Sequence, residues 1–329
     1  MAERILVLGS NSFSGASFVR RLLGLGAEVV GISRSPEPIP PMLPYKWDEH
    51  SGFTFHQLDL NHDLDEIMNV VQDFQPRFVV NFAAQGMVAE SWQSPEDWFQ
   101  TNAVANVKLH DRLRHCRFLE KYVHISTPEV YGSCEGSVIE DAQFNPSTPY
   151  AVSRAACDMS LKSFFRAYGF PVVFTRAANV YGPGQQLYRI IPRTILFIRL
   201  GLKLPLQGGG SSRRSFVHIR DVADGTLRVA RNGVPGEVYH LSTRRLISIR
   251  ELVELICARL KVAFADCVEI VGERLGKDDA YILDSTKARE TLGWKDTIDL
   301  NAGIDETISW VDGNLGELKE QPFGYIHKK

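Results

Sequence analysis

Val7 to Ala16 reads VLGSNSFSGA. The stretch closes a short apolar run, Ile5-Leu6-Val7-Leu8, and opens onto Ser17-Phe18-Val19-Arg20-Arg21-Leu22-Leu23, whose apolar residues fall on one helical face. Strand, glycine turn and helix form one unit. Gly9 lets the chain turn tightly off the strand and Gly15 lets the helix pack close, so that the N–H groups at the helix start face a pyrophosphate. The spacing is G-x-x-G-x-x-G with Ser12 in the middle glycine's place. Ser12 adds a Cβ where the backbone approaches phosphate; its hydroxyl can cap the helix or donate to a phosphate oxygen. Gly9, Asn11, Ser12, Phe13, Ser14 and Gly15 are therefore candidate dinucleotide contacts.

Outward from this unit, strand-like and helix-like segments alternate. Further strands are expected at Glu28–Ile32, Phe53–Leu58, Arg77–Phe82, Tyr122–Ser126 and Val172–Arg176, and helices at Ser14–Leu25, Leu64–Phe74, Pro95–Cys116 and Tyr150–Tyr168. The strands are continuous apolar runs, as expected when both sheet faces are covered. The rhythm predicts an α/β fold, a doubly wound parallel Rossmann sheet. It then loosens into loops around Gly208-Gly209-Gly210. A helix at Ser248–Leu260, a short strand near Val268–Val271 and a helix near Leu300–Asp312 suggest a smaller mixed α/β lobe. The expected division gives the dinucleotide domain residues 1–182 with a returning segment at about 215–245. The second lobe takes 183–214 and 246–329. Proline-rich Ser35–Pro44 reads as an irregular excursion after the second strand.

With 329 residues the chain is long enough for a two-lobed enzyme. A balance of 37 basic against 39 acidic residues gives no basic excess to favour nucleic acid. No apolar run is long enough for a membrane helix, and Met1-Ala2-Glu3-Arg4 leads straight into a strand without a signal-peptide pattern. The five cysteines have no metal-type spacing and read as reduced thiols, so a cytoplasmic location and no metal are expected.

The end of the second strand bears on the cofactor's ribose. An NAD site places an acid there, whereas this chain has Ser33 and Arg34 with no acid until Glu37. Arginine can pair with a 2′-phosphate, so NADP is expected in preference to NAD. Asp59 and Leu60 follow the third strand, where such folds contact adenine; Asp59 serves equally well as a helix cap.

Catalytic chemistry is suggested by Thr127 at the end of the fifth strand and by Tyr150 and Arg154 at the start of a helix. A phenol is a useful base near neutral pH only if its pKa falls far below about 10. A cation at i+4 stabilises the phenolate on the same helix face. Tyr150 would take a hydroxyl proton while hydride leaves the same carbon, and Thr127 would hydrogen-bond the reacting oxygen.

HISTPEVYG (His124–Gly132) and PYAVSR (Pro149–Arg154) belong with NFAAQGMVAESWQSPEDWFQTNAVAN, NVYGPG, RRSFVHIRDVADG and RLGKDDAYILDSTKARETLGW. Together these motifs resemble the extended short-chain dehydrogenase/reductase family, in its nucleotide-sugar 4,6-dehydratase and epimerase branch. The resemblance covers nearly the whole chain. It implies that Ala83, Ala84 and Gln85 line the cofactor, with Gln85 and Ser91 near the sugar. It implies that Asn179, Arg214 and Arg274 hold the diphosphate, with Arg213 not separable from Arg214. It also implies a homodimer through the helices Pro95–Cys116 and Tyr150–Tyr168.

The chain departs from the family at two catalytic positions. Arg154 stands where the family has lysine, keeping the charge in a bulkier fork. Pro128 stands where dTDP-glucose 4,6-dehydratases resemble S-T-D-E, with aspartate as acid, while Glu129 remains as the base at C5. GDP-mannose 4,6-dehydratases have T-S-E there, so the missing aspartate does not exclude dehydration. Simple 4-epimerases of the branch usually lack an acid at this place. The implied activity is a 4,6-dehydratase on a nucleoside-diphosphate sugar, with Pro128 and Glu129 facing substrate. A 4-epimerase, a C5 decarboxylase and a catalytically weak nucleotide-sugar-binding relative are the alternatives.

Overall fold

The computed structural model describes residues 2–134, 136–141, 143–272 and 282–328. Its centre is a seven-stranded sheet: β1 (Arg4–Leu8), β2 (Glu28–Ser33), β3 (Phe53–Gln57), β4 (Phe78–Asn81), β5 (Lys121–Ile125), β6 (Val172–Ala177) and β7 (Val238–Leu241). All pairings are parallel, in the spatial order β7-β6-β5-β4-β1-β2-β3. The chain winds outward through β2 and β3, then crosses back to β4. The order therefore reverses between β1 and β4, and a crevice opens at their carboxyl ends.

Side-chain alternation divides the core. Ile5 and Val7 of β1 face α1 (Phe13–Leu23), in a cluster with Phe18, Val19 and Leu22. Leu6 and Leu8 face the opposite layer, with Ile67 and Val71 of α2 (Leu64–Phe74). The expected helix from Pro95 is interrupted: α3 (Pro95–Phe99) passes into a π-helical stretch, Gln100–Ala105, before α4 (Asn106–Leu113). Across the widened turn the Asn106 side-chain amide donates to the Thr101 carbonyl at 2.8 Å. Next come α5 (Pro149–Tyr168), α6 (Ile190–Arg199), α7 (Ile219–Asn232) and α8 (Ile249–Leu260).

The seventh strand, Val238–Leu241, lies within the returning segment. A three-stranded sheet joins Asn179–Tyr181, Arg213–His218 and Leu246–Ser248, and a separate core gathers Ile195, Leu252, Ile256, Ile304 and Val311. The proline-rich excursion is not loose: Leu43 and Tyr45 bury in the α1-side core. Among the described residues no helix is long and apolar enough to cross a membrane.

Candidate active site

The turn after β1 is closely fitted. Gly9 has φ +77°, and a Cβ there would lie 2.7 Å from the Ala83 nitrogen at the end of β4. A Cβ on Gly15 would lie 2.2 Å from the Gly9 carbonyl oxygen. Both glycines are thus required by backbone against backbone. Ser12 is the N-cap of α1: its Oγ accepts from Gly15 N at 3.1 Å and donates to Gly9 O at 2.7 Å. Of the two sequence readings of Ser12, the cap is the one present, because its proton is committed inside the turn.

The neighbouring strand ends are tied to this turn. Asn11 N donates to Ser33 Oγ at 3.0 Å, and the Asn11 side chain donates to Ser35 O at 3.1 Å. Arg34 reaches across the crevice to Gln85 Oε1 at 3.5 Å. The Glu37 carboxylate is taken by Tyr45 at 2.8 Å and Lys46 at 2.6 Å, and the same Tyr45 hydroxyl lies 3.2 Å from Asn11 Oδ1 of the turn. Asp59 accepts from Asn61 N at 2.8 Å in its own turn, and the Leu60 side chain lies in the core. Phe13 is buried and Ser14 half-buried. A glycine turn that presents the N-terminus of α1 at the point of strand reversal fits a dinucleotide.

On the other side of the crevice, Thr127 caps a short turn, Pro128–Tyr131, accepting from Glu129 N at 3.3 Å. Pro128 occupies the first position of that turn, where a missing N–H costs nothing. Thr148 caps α5, which places Tyr150 in its first turn. The Thr127 hydroxyl hydrogen-bonds the Tyr150 phenol, and Glu129 lies close enough for its charge to act on it.

The expected depression of the Tyr150 pKa is not found in this state. Burial pushes it up, and the opposing pull of Arg154, the Thr127 hydrogen bond and Arg189 does not offset burial. Arg154 is turned toward β5, where its guanidinium bonds the Ile125 carbonyl and approaches His124 Nε2 at 3.4 Å. Its Nε is buried with no hydrogen-bond partner among the described residues.

Beneath this pair lies a buried ionic network absent from the sequence reading. Asp158, one turn beyond Arg154, accepts from Ser126 Oγ at 2.6 Å and from Arg176 at 2.7 Å. Arg176 also bonds the Tyr131 hydroxyl, which pairs with His240 Nε2 at 2.7 Å. His240 Nδ1 faces the Asp284 carbonyl at 3.0 Å, which places its proton there and leaves Nε2 to accept from Tyr131. Ser126 and Tyr131 flank Thr127-Pro128-Glu129, so the network pins the catalytic turn to α5.

The substrate-side candidates separate. Gln85 is buried, with its backbone clamped by Asn102: Gln85 N donates to Oδ1 at 2.8 Å and Asn102 Nδ2 returns to Gln85 O at 3.0 Å. Ser91 is fully buried and its hydroxyl donates to Val88 O at 2.6 Å, which leaves it no surface for a sugar. Asn179 donates to Ser215 O at 3.3 Å within the three-stranded sheet. Strand alternation resolves the arginine pair: Arg213 is exposed toward Glu251, whereas Arg214 is half-buried. Arg274 lies outside the described residues. Arg189, just before α6, was missed; its only sequence signal is its place shortly after NVYGPG.

A family model described as GDP-mannose 4,6 dehydratase matches residues 6–307. A dTDP-glucose 4,6-dehydratase of Streptomyces antibioticus is 33% identical, covering 97% of this chain and 96% of that protein. A probable dTDP-glucose 4,6-dehydratase of Sinorhizobium fredii is 31% identical, covering 93% and 92%. The solved dTDP-glucose 4,6-dehydratase of Streptomyces venezuelae with NAD and TYD bound superimposes with a TM-score of 0.88 at 30% identity, covering 95% of this chain and 98% of that one. The UDP-glucose 4-epimerase of Thermotoga maritima, solved with UDP-glucose, has a TM-score of 0.85 at 25% identity, covering 95% of this chain and 99% of that one. Glycine cradle, Thr127–Tyr150 pair and similarity over almost the full length agree: the chain belongs to the GDP-mannose 4,6-dehydratase family of the extended short-chain dehydrogenase/reductases.

Proposed function

We propose that the chain is a nucleoside-diphosphate-sugar 4,6-dehydratase, and that Glu129 beside Tyr150 is the observation that carries this reading. Epimerisation at C4 needs only oxidation and reduction. A carboxylate beside the oxidising phenol has work where bonds at C5 are broken or made, as when a proton leaves C5. A bound nicotinamide supplies hydride acceptance and return. Tyr150 takes the proton of the C4 hydroxyl, with Thr127 holding the same oxygen and Arg154 stabilising the phenolate. The C4 ketone acidifies the C5 hydrogen, and Glu129 removes it. Pro128 has no proton to give, so Glu129 passes that proton to the departing C6 hydroxyl, which leaves as water. The C5–C6 alkene then takes back the hydride at C6 and a proton at C5, which balances the proton Tyr150 took from the C4 hydroxyl, giving a 4-keto-6-deoxy sugar.

On this reading residues 1–182 and about 215–245 hold the dinucleotide, and the remainder, including Arg214 and Arg274, holds the sugar nucleotide. NADP is preferred to NAD, supported by Arg34 at the crevice and by the Glu37 carboxylate being taken up by Tyr45 and Lys46. The relative from Streptomyces venezuelae was solved with NAD. Arg34→Ala should weaken NADP more than NAD in calorimetry; equal losses would refute it. A homodimer is supported by Phe99, Val104, Val152 and Met159, exposed apolar residues on the helices from Pro95 and Pro149. Light scattering of the purified chain tests it.

The activity test is incubation with dTDP-glucose, UDP-glucose, UDP-GlcNAc, GDP-mannose and CDP-glucose, followed by mass spectrometry. Loss of one water from one substrate is expected. An isobaric product would make the chain an epimerase, and no turnover with added NADP would sink both. Glu129→Gln should stop elimination while C4 oxidation stays detectable.

A further inference from the structure

The segment Phe323–Lys328 alternates in exposure, with Phe323, Tyr325 and His327 facing the body of the protein. Phe323 meets Phe197 of α6 at 5.9 Å between ring centroids, and Tyr325 meets Tyr188 edge-on at 5.8 Å. The His327 ring stacks on Trp98 at 5.0 Å, and its Nε2 lies 2.7 Å from Asp97 Oδ2. The Gln85 side chain is held at both ends: its Nε2 donates to Lys328 O at 2.6 Å, and Tyr325 OH donates to its Oε1 at 3.3 Å. Lys328 Nζ then reaches Ser35 Oγ at 2.9 Å.

These contacts span the crevice. Gln85 follows Ala83, whose nitrogen faces Gly9; Ser35 follows β2 and its carbonyl holds Asn11 of the same turn. The segment touches the β4 rim and the β2 rim, with the glycine turn of β1 between them. Its grip is made of polar contacts and single ring contacts, of the kind that opens at modest cost.

We infer that Tyr325–Lys328 is a strap that closes over the bound dinucleotide and slows its release, so that one cofactor serves many turnovers. The inference rests on the dinucleotide occupying the glycine turn, and does not depend on NADP over NAD. A reaction that returns its hydride gains from a cofactor that stays, and this strap supplies the barrier to leaving from the chain's own residues.

The test is release of NADH or NADPH preloaded on the full chain, chased with excess oxidised dinucleotide and followed by nicotinamide fluorescence. The double variant Tyr325→Ala/His327→Ala should release it about tenfold faster, with association little changed. Hydrogen exchange over residues 323–328 of the unsubstituted chain should slow when dinucleotide is added. Unchanged release overturns the strap alone. Tighter binding by the variant, or faster exchange on adding dinucleotide, would make the segment a competing plug and overturn it too. A full chain that binds neither dinucleotide would sink the cofactor reading itself, and the strap with it.

Discussion

The two sides of the crevice are built on different principles. At the glycine turn the requirements are backbone requirements: a positive φ at Gly9, no room for a Cβ at Gly15, and a cap on Gly15 N. At the base of α5 the requirements are electrostatic. Arg154, Asp158, Arg176 and His124 are all buried, and Arg154 Nε, Asp158 Oδ1, Arg176 Nε and His124 Nδ1 have no hydrogen-bond partner among the described residues. The turn is a rigid cradle whose shape is complete. The catalytic side is poised, and its phenol pKa depends on what enters the crevice. A positively charged nicotinamide near Tyr150 would act in the same direction as Arg154 and lower that pKa.

The largest effect expected lies on the poised side. Tyr150→Phe should cut kcat by about a hundred- to ten-thousandfold while leaving dinucleotide bound, as read by steady-state kinetics and cofactor content. A fall of only a few-fold would take proton transfer away from Tyr150. Next comes the ionic network. Arg176→Ala leaves Asp158 buried beside Ser126 without its cation and should cost about 3–5 kcal/mol in denaturant unfolding. The double variant Arg176→Met/Asp158→Leu, which removes both charges, should be less damaged than the single one. If the two cost the same, the pair is not what holds the turn to α5.

What the sequence could reveal follows the same division. Gly9, Gly15, the strand runs and the Tyr150/Arg154 spacing were legible because each is a local rule of turn, period or helix face. Arg176 and Asp158 were not, since their meaning comes from meeting across 18 residues of sequence, with His240 joining through Tyr131 from 109 residues away. The same distance hid the His327–Asp97 contact, which spans 230 residues. Ser91 misled because proximity to a motif says nothing about which way a hydroxyl faces. For Tyr150, spacing gives the neighbouring charge, whose lowering pull is present, but not the burial that opposes it.

A smaller effect concerns acid. Burial lowers the pKa of His240 to about 3 and of His218 to about 4, and pushes His110 and His124 well below the ordinary histidine value. These rings are neutral when folded and would take up protons when unfolded. Their stabilising contribution is complete above pH about 6.5 and is lost as pH falls toward the folded values, by up to about 1.4 kcal/mol per pH unit for each ring. Denaturant unfolding at a series of pH values should show stability falling below pH about 6.5. His240→Gln should flatten that slope, and an unchanged slope would mean that this ring does not stay neutral. The glycine turn has no titrating group of its own and should contribute nothing to it.

The smallest effect tests the cradle. Ser12→Ala removes both the cap on Gly15 N and the bond to Gly9 O, and should cost about 1 kcal/mol in stability. Ser12→Gly removes the same hydroxyl but leaves the cap backbone open to solvent, and should cost only a few tenths of a kcal/mol. Because the serine proton is spent inside the turn, dinucleotide affinity measured by calorimetry should fall in neither variant. In the glycine variant, removing the Cβ leaves the backbone as approachable as in the family pattern, so affinity should hold or rise. If instead stability is untouched and affinity drops sharply in both, the Ser12 hydroxyl turns to phosphate when cofactor binds. The cradle would then be as responsive as the side of the crevice it faces.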